Sequence, residues 1–452
     1  MSAIDRTFGA QLTGRDPNAV DERTLMVLRV TEKNPSEAAR AAVASIGYVD
    51  LQPNSITYEV PGITRFSYTD DVLSLGDAWS AGVPDPRGRY RDLLRRGSKV
   101  EVFLSNPKVN GGQYTRKLVG RIRQRNLTID GGGSVINVSG SDLGYHLQSN
   151  PAVWFNLRWT DWKGLMRAVL DPSWEITDVR LGNDINQRLN NGRQEKQLQL
   201  QPTLLLSPFA RIEISPGQTA ADLLTTYARR RGLLLTMGAD GVLQTFTPNY
   251  TATPLYKVRL YDWPYPETVE TNVERLQLSE SADTIYTHTT CVGQSVYTPQ
   301  GYAQAVATEG QAAPLGQPQT ATPVTGGNVH AGQWPRTAVH ANALPYVNRK
   351  TFCDPERMDP ASAKLRAEWT YQRGVFDAWS LTVTVRGHHN QGTWWQADTM
   401  VDVDIDVPAL RIPSATVPGA LYVSRVVYGA TEAGETTEVT LRLPNLLGEV
   451  PV

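Results

Sequence analysis

The stretch SPGQTAADLLTTYARRRGLLLTMGADGVLQTFTPNY, residues 215–250, contains the clearest local pattern in the chain. Thr219 is placed to cap a helix, with Asp222 three positions on as a capping-box partner. Gly232 can end that helix in a left-handed conformation, and the Asp240-Gly241 pair predicts a tight hairpin turn. The stretch therefore predicts a helix followed by a β-hairpin, and it contains no catalytic constellation. The apolar residues at helical spacing are Ala220, Leu223, Leu224, Tyr227 and Ala228.

Composition limits the class of protein. A length of 452 residues predicts two to four domains, and a formal net charge of −1 argues against a protein built mainly to bind nucleic acid. The sequence contains no run long enough to span a bilayer, and its first residues lack the apolar core of a signal peptide. Cys291 and Cys353 allow one disulfide but no disulfide framework, so we expect synthesis in a cytosol.

The N-terminal third has the pattern of a β domain. Residues 1–24 form a polar arm, and residues 25–150 contain short alternating strands such as the one with Val100, Val102 and Leu104. Turn signals follow at 110–112 and 131–133. Several short strands with close turns predict a small β-barrel or sandwich.

Residues 151–260 predict an inserted α+β domain. Thr160 is placed to cap a helix that begins near Trp162 and stops at Asp171-Pro172. A polar segment at 182–200, rich in Asn and Gln, separates this helix from the helix and hairpin of residues 215–250.

Residues 261–452 predict a second β domain. A run rich in Gly, Pro, Gln, Ala and Thr at 296–345 has no clear period, and we interpret it as a long loop of the kind that is often functional or ordered by a partner. A helix at 359–379 follows, and alternating strands complete the domain. The predicted buried stripe of that helix is Leu365, Trp369, Gln372, Phe376 and Trp379.

Four acidic residues form the first candidate for a chemical site. Asp398, Asp402, Asp404 and Asp406 could hold a metal, but residues two apart on a strand lie about 7 Å apart, which is too wide for one small ion without other ligands. The wet face of an amphipathic strand explains this acidic ladder better.

Histidines and cysteines do not form a recognisable site. His388 and His389 are adjacent on a predicted strand and point to opposite faces, and His288 lies near Cys291 without a second pair at metal spacing. No GxSxG, HExxH, phosphate-binding Gly loop or CxxC pair is present. A carboxylate pair for glycoside hydrolysis stays an open alternative, because the separation of such a pair is a tertiary property. We therefore predict no enzyme and no catalytic, cofactor-binding or metal-binding residue.

Two further surfaces admit several interpretations. The basic stretch 87–125 has few aromatic residues for base stacking, so it favours a solvated face or an inter-subunit contact with the acidic ladder over nucleic-acid binding. Trp154, Trp159, Trp162 and Trp174 are close together in sequence. Core packing is the preferred interpretation of this cluster, with an interface or a sugar-stacking platform as alternatives.

Four segments carry a resemblance to a known family. In 120–147, GRIRQRNLTIDGGGSVINVSGSDLGYHL, Asp142 and Leu147 fall on family positions, although Ser141 stands where the family often has Arg. The helix-hairpin module at 217–246, PYVNRK at 345–350 and LRAEWTYQR at 365–373, the last followed by TVTVRGHHNQGTWW and LYVSRVVYG, come next in the same order. Over residues 45–448 this order resembles the baseplate hub protein of Mu-like contractile-tailed bacteriophages.

The resemblance implies a mainly β fold with an α+β insertion, in which two tail-tube-like β domains flank the helix-hairpin domain. It implies a homotrimeric ring that adapts a hexameric tail tube to a trimeric central spike, without catalysis or cofactors. The implied partners are the central spike protein and a tail tube or tube-initiator protein, with a tape-measure protein and baseplate wedge proteins as further partners. Neither specific nucleic-acid recognition nor stable membrane insertion is expected, and the implied location is the virion tail baseplate, assembled in the host cytoplasm. A tail-associated peptidoglycan hydrolase and a carbohydrate-binding tail module are the alternatives.

Overall fold

A computed structural model of the chain confirms the predicted mainly β fold with an α+β insertion. The predicted arm up to residue 22, Thr160, Trp154, Trp159 and the polar segment 182–200 lie outside the described residues. The structure describes residues 23–44, 50–85, 88–130, 133–152, 162–176, 178–181, 217–229, 233–248, 252–261, 272–294, 333–340, 343–357, 360–406, 420–431 and 434–444, with Ile212, Ile214 and Tyr250.

The first β region folds into a barrel. β3 pairs with β1, and β4 pairs with β5. Only Thr64 separates β3 from β4, so the two form one bent strand that closes the circuit β1-β6-β7-β8-β5. All of these pairs are antiparallel, and we call this unit the first barrel. Its elements are β1 (Leu25–Lys33), α1 (Glu37–Ala44), β2 (Asp50–Gln52), β3 (Ser55–Ile63), β4 (Arg65–Asp71), β5 (Ala78–Pro84), β6 (Lys99–Ser105), β7 (Thr115–Asp130) and β8 (Gly133–Asp142).

The inserted domain has the predicted helix and hairpin. The Thr219 hydroxyl accepts a hydrogen bond from the backbone N–H of Asp222 at 3.0 Å, which confirms the cap, and all five predicted stripe residues are buried. The hairpin closes at Met237 opposite Leu243, so its connection of five residues is longer than the predicted tight turn. The elements are α2 (Gly144–Ser149), α3 (Trp162–Val169), β9 (Val179–Leu181), α4 (Ala220–Arg229), β10 (Leu234–Met237) and β11 (Leu243–Phe246).

The second β region forms another barrel-like unit, the second barrel, in the order β13-β17-β22-β21-β20-β12. The β12–β20 pair is parallel and the others are antiparallel. Asn272, just before β13, bonds the backbone of Lys257 and Arg259 in β12 and so brings the two ends together. The strands are β12 (Tyr256–Tyr261), β13 (Val273–Glu280), β17 (Trp379–Arg386), β20 (Thr399–Asp406), β21 (Ala420–Thr431) and β22 (Gly434–Arg442), with the small hairpin β18 (His389–Asn390) and β19 (Thr393–Trp394).

An excursion between β13 and β17 corrects the last part of the loop predicted at 296–345, whose residues 296–332 lie outside the described part of the chain. It contains β14 (His288–Gln294), β15 (Gln333–Val339), β16 (Arg349–Arg357) and α5 (Pro360–Ala378). β15 lies inside the run predicted as a loop at 296–345 and pairs with β14, a long-range contact that leaves no local period. Helix α5 begins next to its predicted start and runs directly into β17, with Trp369 and Phe376 buried.

One predicted domain boundary differs from the structure. The boundary at residue 260 falls inside β12, which belongs to the second barrel because it pairs with β20. The two β domains are also not separate sheets, since β21 pairs with β4 and one 14-stranded sheet runs through both barrels.

Candidate functional site

The site that distinguishes this fold is the place where the two barrels join. Residues 425–430 of β21 pair antiparallel with residues 66–71 of β4, with Tyr428 opposite Tyr68. The rings of these two tyrosines stack at 5.6 Å. We call this strand pair the barrel junction.

A β-bulge makes the junction possible. β21 pairs with β20 up to Val423, and its register to β22 shifts between Val423 and Arg425. The bulged residue Ser424 redirects the strand, as bulges do, so the second half of β21 leaves β20 and reaches β4.

Buried polar groups lie under the junction. The Tyr68 hydroxyl donates to the Lys117 carbonyl, and the Lys117 ammonium lies 4.9 Å and 5.5 Å from the ring centroids of Trp394 and Tyr428. Burial lowers the pKa of Lys117 to about 8, an effect that the nearby Asp70 carboxylate partly opposes. Asp70 itself accepts the backbone N–H of Ala397 and so ties β4 to the second barrel.

Two more aspartates fix the ends of the neighbouring strands. Asp77 accepts the N–H of Asp71 at 3.1 Å, and Asp142 accepts the N–H of Gly144 at 2.8 Å. Both carboxyl groups are buried, and burial raises the pKa of Asp142 to about 8 and that of Asp77 well above its usual range. Both side chains anchor backbone amides, which is a structural role.

The polar cluster borders a cavity of about 210 Å³ between the two barrels and the β10–β11 hairpin. Its lining includes Asp70, Asp77, Lys117, Gln244 and Asp398. In the described part of the chain, no group of three His, Cys, Asp or Glu side chains could hold a metal ion. The described helices also include none that is long and apolar enough to cross a membrane.

Asp398 does not belong to the acidic ladder, which corrects the sequence interpretation. Its side chain is buried, it accepts the Tyr422 hydroxyl at 2.9 Å, and its φ is +58°. Asp402 and Asp404 do lie on β20, in register with Lys257 and Arg259 of β12. Positive charge from the same barrel is therefore already beside them. The side chain of Asp406 lies outside the described part of the chain.

The histidine and cysteine candidates are scattered. His388 is buried with Nε2 3.0 Å from the Gly429 carbonyl oxygen, and burial lowers its pKa to about 4. His389 starts the β18 strand, and His288 starts β14. Cys291 is buried beside Ala338 and Ala367. Neighbouring strands carry Cys291 and Cys353, but the side chain of Cys353 is not among those described.

The basic stretch is partly neutralised within the chain. Glu101 pairs with Arg29 and Arg116, and the Arg123 guanidinium lies 3.6 Å from the Tyr145 ring centroid. Sequence reasoning missed the contribution of Glu175, which lies next to three basic side chains. These are Lys33, Lys99 and Arg121.

The two described tryptophans of the Trp cluster are buried. Trp162 belongs to the core of the inserted domain, and Trp174 stacks on His146 at 6.2 Å with nearly parallel rings. Burial removes both rings from any surface on which a sugar could stack.

The most informative feature is an internal repeat, which the resemblance implied as two similar β domains and which the structure gives in terms of strands and bulges. The β7–β8 hairpin has a bulge at Arg123, as β21–β22 has at Ser424, and the hairpins close at Asp130 opposite Gly133 and Thr431 opposite Gly434. The residue before each bulge accepts a backbone N–H from a residue of positive φ. These bonds are Gly97 N–H to Ile122 O and Asp398 N–H to Val423 O.

One face of the shared sheet is mainly polar. Alternate residues of β4, β5, β8, β17, β21 and β22 face the barrel cores, and the others form this second face. We call it the polar face. Its uncharged residues are Ser67, Thr69, Ser80, Gly82, Asn137, Ser139, Thr382, Thr384, Val427, Gly429 and Thr440, and its charged residues are Arg65, Asp71, Arg386, Arg425, Glu438 and Arg442.

No protein-family model matches the chain, and no curated relative matches it. Similar folds occur among solved structures. A tail protein from Neisseria meningitidis MC58 has a TM-score of 0.61 at 16% identity, covering 94% of this chain and 98% of that chain. The 43 kDa tail protein of prophage MuSo2 from Shewanella oneidensis has a TM-score of 0.58 at 16% identity, covering 94% and 99%. The chain thus has the fold of these tail proteins over nearly its whole length.

Proposed function

We propose that this protein is a structural hub of a phage tail baseplate, a homotrimeric ring that adapts a hexameric tail tube to a trimeric central spike. The observation that carries the proposal is the internal repeat, in which two barrels of like strand order are joined edge to edge. Two tail proteins share this fold over 94% of the chain, which supports a place in a phage tail.

The repeat solves a problem of symmetry. A ring of three chains with two similar barrels each presents six similar units to a sixfold partner. The inserted domain occurs once per chain, so the same ring presents three such domains to a threefold partner. One protein can therefore contact a tail tube or tube-initiator protein on one side and a spike protein on the other. Tape-measure and baseplate wedge proteins are further proposed partners.

The polar face fits the wall of an axial channel. Its serine, threonine and asparagine side chains offer hydrogen bonds to water. Two of its arginines lie beside carboxylates, Arg425 beside Asp71 and Arg386 beside Glu274, which limits the clustered positive charge that phosphate binding needs. We propose that this face lines the channel, in a virion tail baseplate.

The proposed role is non-enzymatic. The buried aspartates beside the junction are occupied as acceptors of backbone amides, and the described tryptophans of the cluster are in the core. No observation favours the peptidoglycan hydrolase or the carbohydrate-binding module over the hub.

Sedimentation equilibrium of the purified chain, with pull-downs against the spike and tube proteins of the same tail, tests the proposal. We expect a stable trimer that retains both partners. A monomer at micromolar concentration without affinity for either partner contradicts it, and release of soluble fragments from cell wall would instead support a hydrolase.

A further inference from the structure

We propose that β13 of one chain pairs antiparallel with the outer half of β7 (Gln124–Asp130) of a second copy, in the register of the barrel junction. This inference rests on the proposed ring and specifies which edges close it. The partner is thus another molecule of the same protein, bound by strand addition.

The order of strands along the shared sheet is the first argument. The path reads β13-β17-β22-β21 and then β4-β5-β8-β7, so each half repeats the other. The barrel junction joins the last strand of the first group, β21, to the first strand of the second, β4. The same step applied once more joins β7 to β13 of another chain.

Register supports the equivalence of the two edges. Ser80 and Thr382 pair with Ser139 and Thr440, and each of these lies opposite the residue that follows the bulge of its hairpin, Gln124 and Arg425. Counting from these positions, Ser67 of β4 corresponds to Gln277 of β13, because Ser67 is opposite Ser80 and Gln277 is opposite Thr382.

Among the described strands, neither proposed edge has a neighbour. β6 pairs with β7 only as far as Arg121, and no described strand pairs with the outer half of β7 on that side. This half carries two exposed apolar side chains, Leu127 at 39% and Ile129 at 69%. β13 ends the sheet path and pairs only with β17 among the described strands. Long, exposed, apolar strand edges are templates for pairing with another chain.

Transposing the register of the barrel junction gives side chains that match. Tyr428 opposite Tyr68 becomes Leu127 opposite Leu278, and Ala430 opposite Phe66 becomes Ile129 opposite Leu276. Val426 opposite Asp70 becomes Arg125 opposite Glu280, an oppositely charged pair. The register was set by backbone pairing alone, so this agreement of side chains is independent support.

The geometry also predicts closure. Each chain has one β13 edge and one free β7 edge, so the contact is head-to-tail and generates a ring when the rotation per copy closes. Closure pairs the β13 edge and the outer edge of β7, and the polar face then continues around the ring.

Cysteine pairs in the full-length protein test the register. Directly opposite residues have Cβ atoms about 4.5–5.5 Å apart, within reach of a disulfide after small adjustment. The variant Leu127→Cys with Leu278→Cys should give covalent species of up to three chains on oxidation, seen on non-reducing gels. The matched control, Leu127→Cys with Glu274→Cys, moves one cysteine four residues along the strand, about 13 Å away. It should give no more product than the oxidised wild-type protein, which carries the native cysteines.

The variant Thr128→Cys with Gln277→Cys places a second opposite pair on the other face of the sheet. It allows the same test if the first double variant fails to fold. Crosslinking of either opposite pair above the control supports the inference. A chain that is trimeric in sedimentation but crosslinks no better than the control overturns the strand pairing while the hub proposal stands. A chain that stays monomeric overturns both.

Discussion

At the scale of single residues, the charges of Arg125 and Glu280 decide whether the two edges attract. Arg125→Glu should weaken the trimer, because it places like charges opposite each other. The cost is roughly 0.2–1 kcal/mol for each contact between two chains. Arg125 also donates to the Arg91 carbonyl within its own chain, so this variant can change the monomer as well. The double variant with Glu280→Arg should restore the trimer in sedimentation equilibrium. A double variant no better than the single one contradicts the opposition of the two residues.

Asp142 predicts a pH dependence of stability. Burial raises its pKa to about 8, against 3.8 when exposed, so between these values the folded chain holds a proton that the unfolded chain has released. The free energy of unfolding therefore falls as pH rises through this window. Asp142→Asn keeps the acceptor for the Gly144 N–H and should raise the melting temperature relative to wild type by more at pH 9 than at pH 5, because most of the loss occurs above pH 5. An equal change at both pH values contradicts the assignment.

At the scale of elements, helix α5 contains Gly374, which the packing around the helix requires although glycine has a low helix propensity. Gly→Ala inside a helix normally stabilises by about 1 kcal/mol. A Cβ at Gly374 would lie 2.1 Å from the Thr284 carbonyl oxygen, and Thr284 donates its hydroxyl to the Gly374 carbonyl. Gly374→Ala should therefore destabilise the chain by about 1–3 kcal/mol in urea unfolding. Gly429→Ala is the control, because its nearest neighbour would be at 3.6 Å, and a loss of equal size there contradicts the steric explanation.

Elements with local signals could be predicted from the sequence. The Thr219 cap and the α4 stripe were found because helix contacts lie three and four residues apart. β15 could not be found, since its partner β14 lies about forty residues earlier and its own residues show no alternation. The longer β10–β11 connection was missed because Asp240-Gly241 marks a turn without fixing its length.

At the scale of the whole molecule, the mainly β fold with its inserted domain could be predicted, but the way the barrels join could not. The repeat depends on bulges at Arg123 and Ser424, positions with no common residue type, and on backbone pairing. Asp398 shows the same limit. Its spacing along one strand placed it in the acidic ladder, but its side chain accepts the Tyr422 hydroxyl. The edges of the candidate interface, β13 and the outer half of β7, can be identified only from the strand pairing, because they are the edges without a described neighbour.

Three copies of the chain are proposed to close into a ring of six similar barrels. Single-particle imaging of the purified full-length protein can show this ring. We expect a closed ring with threefold symmetry, an axial opening and six similar barrel-sized densities around it. A monomer, or a twofold dimer in which equivalent edges face each other, would contradict it.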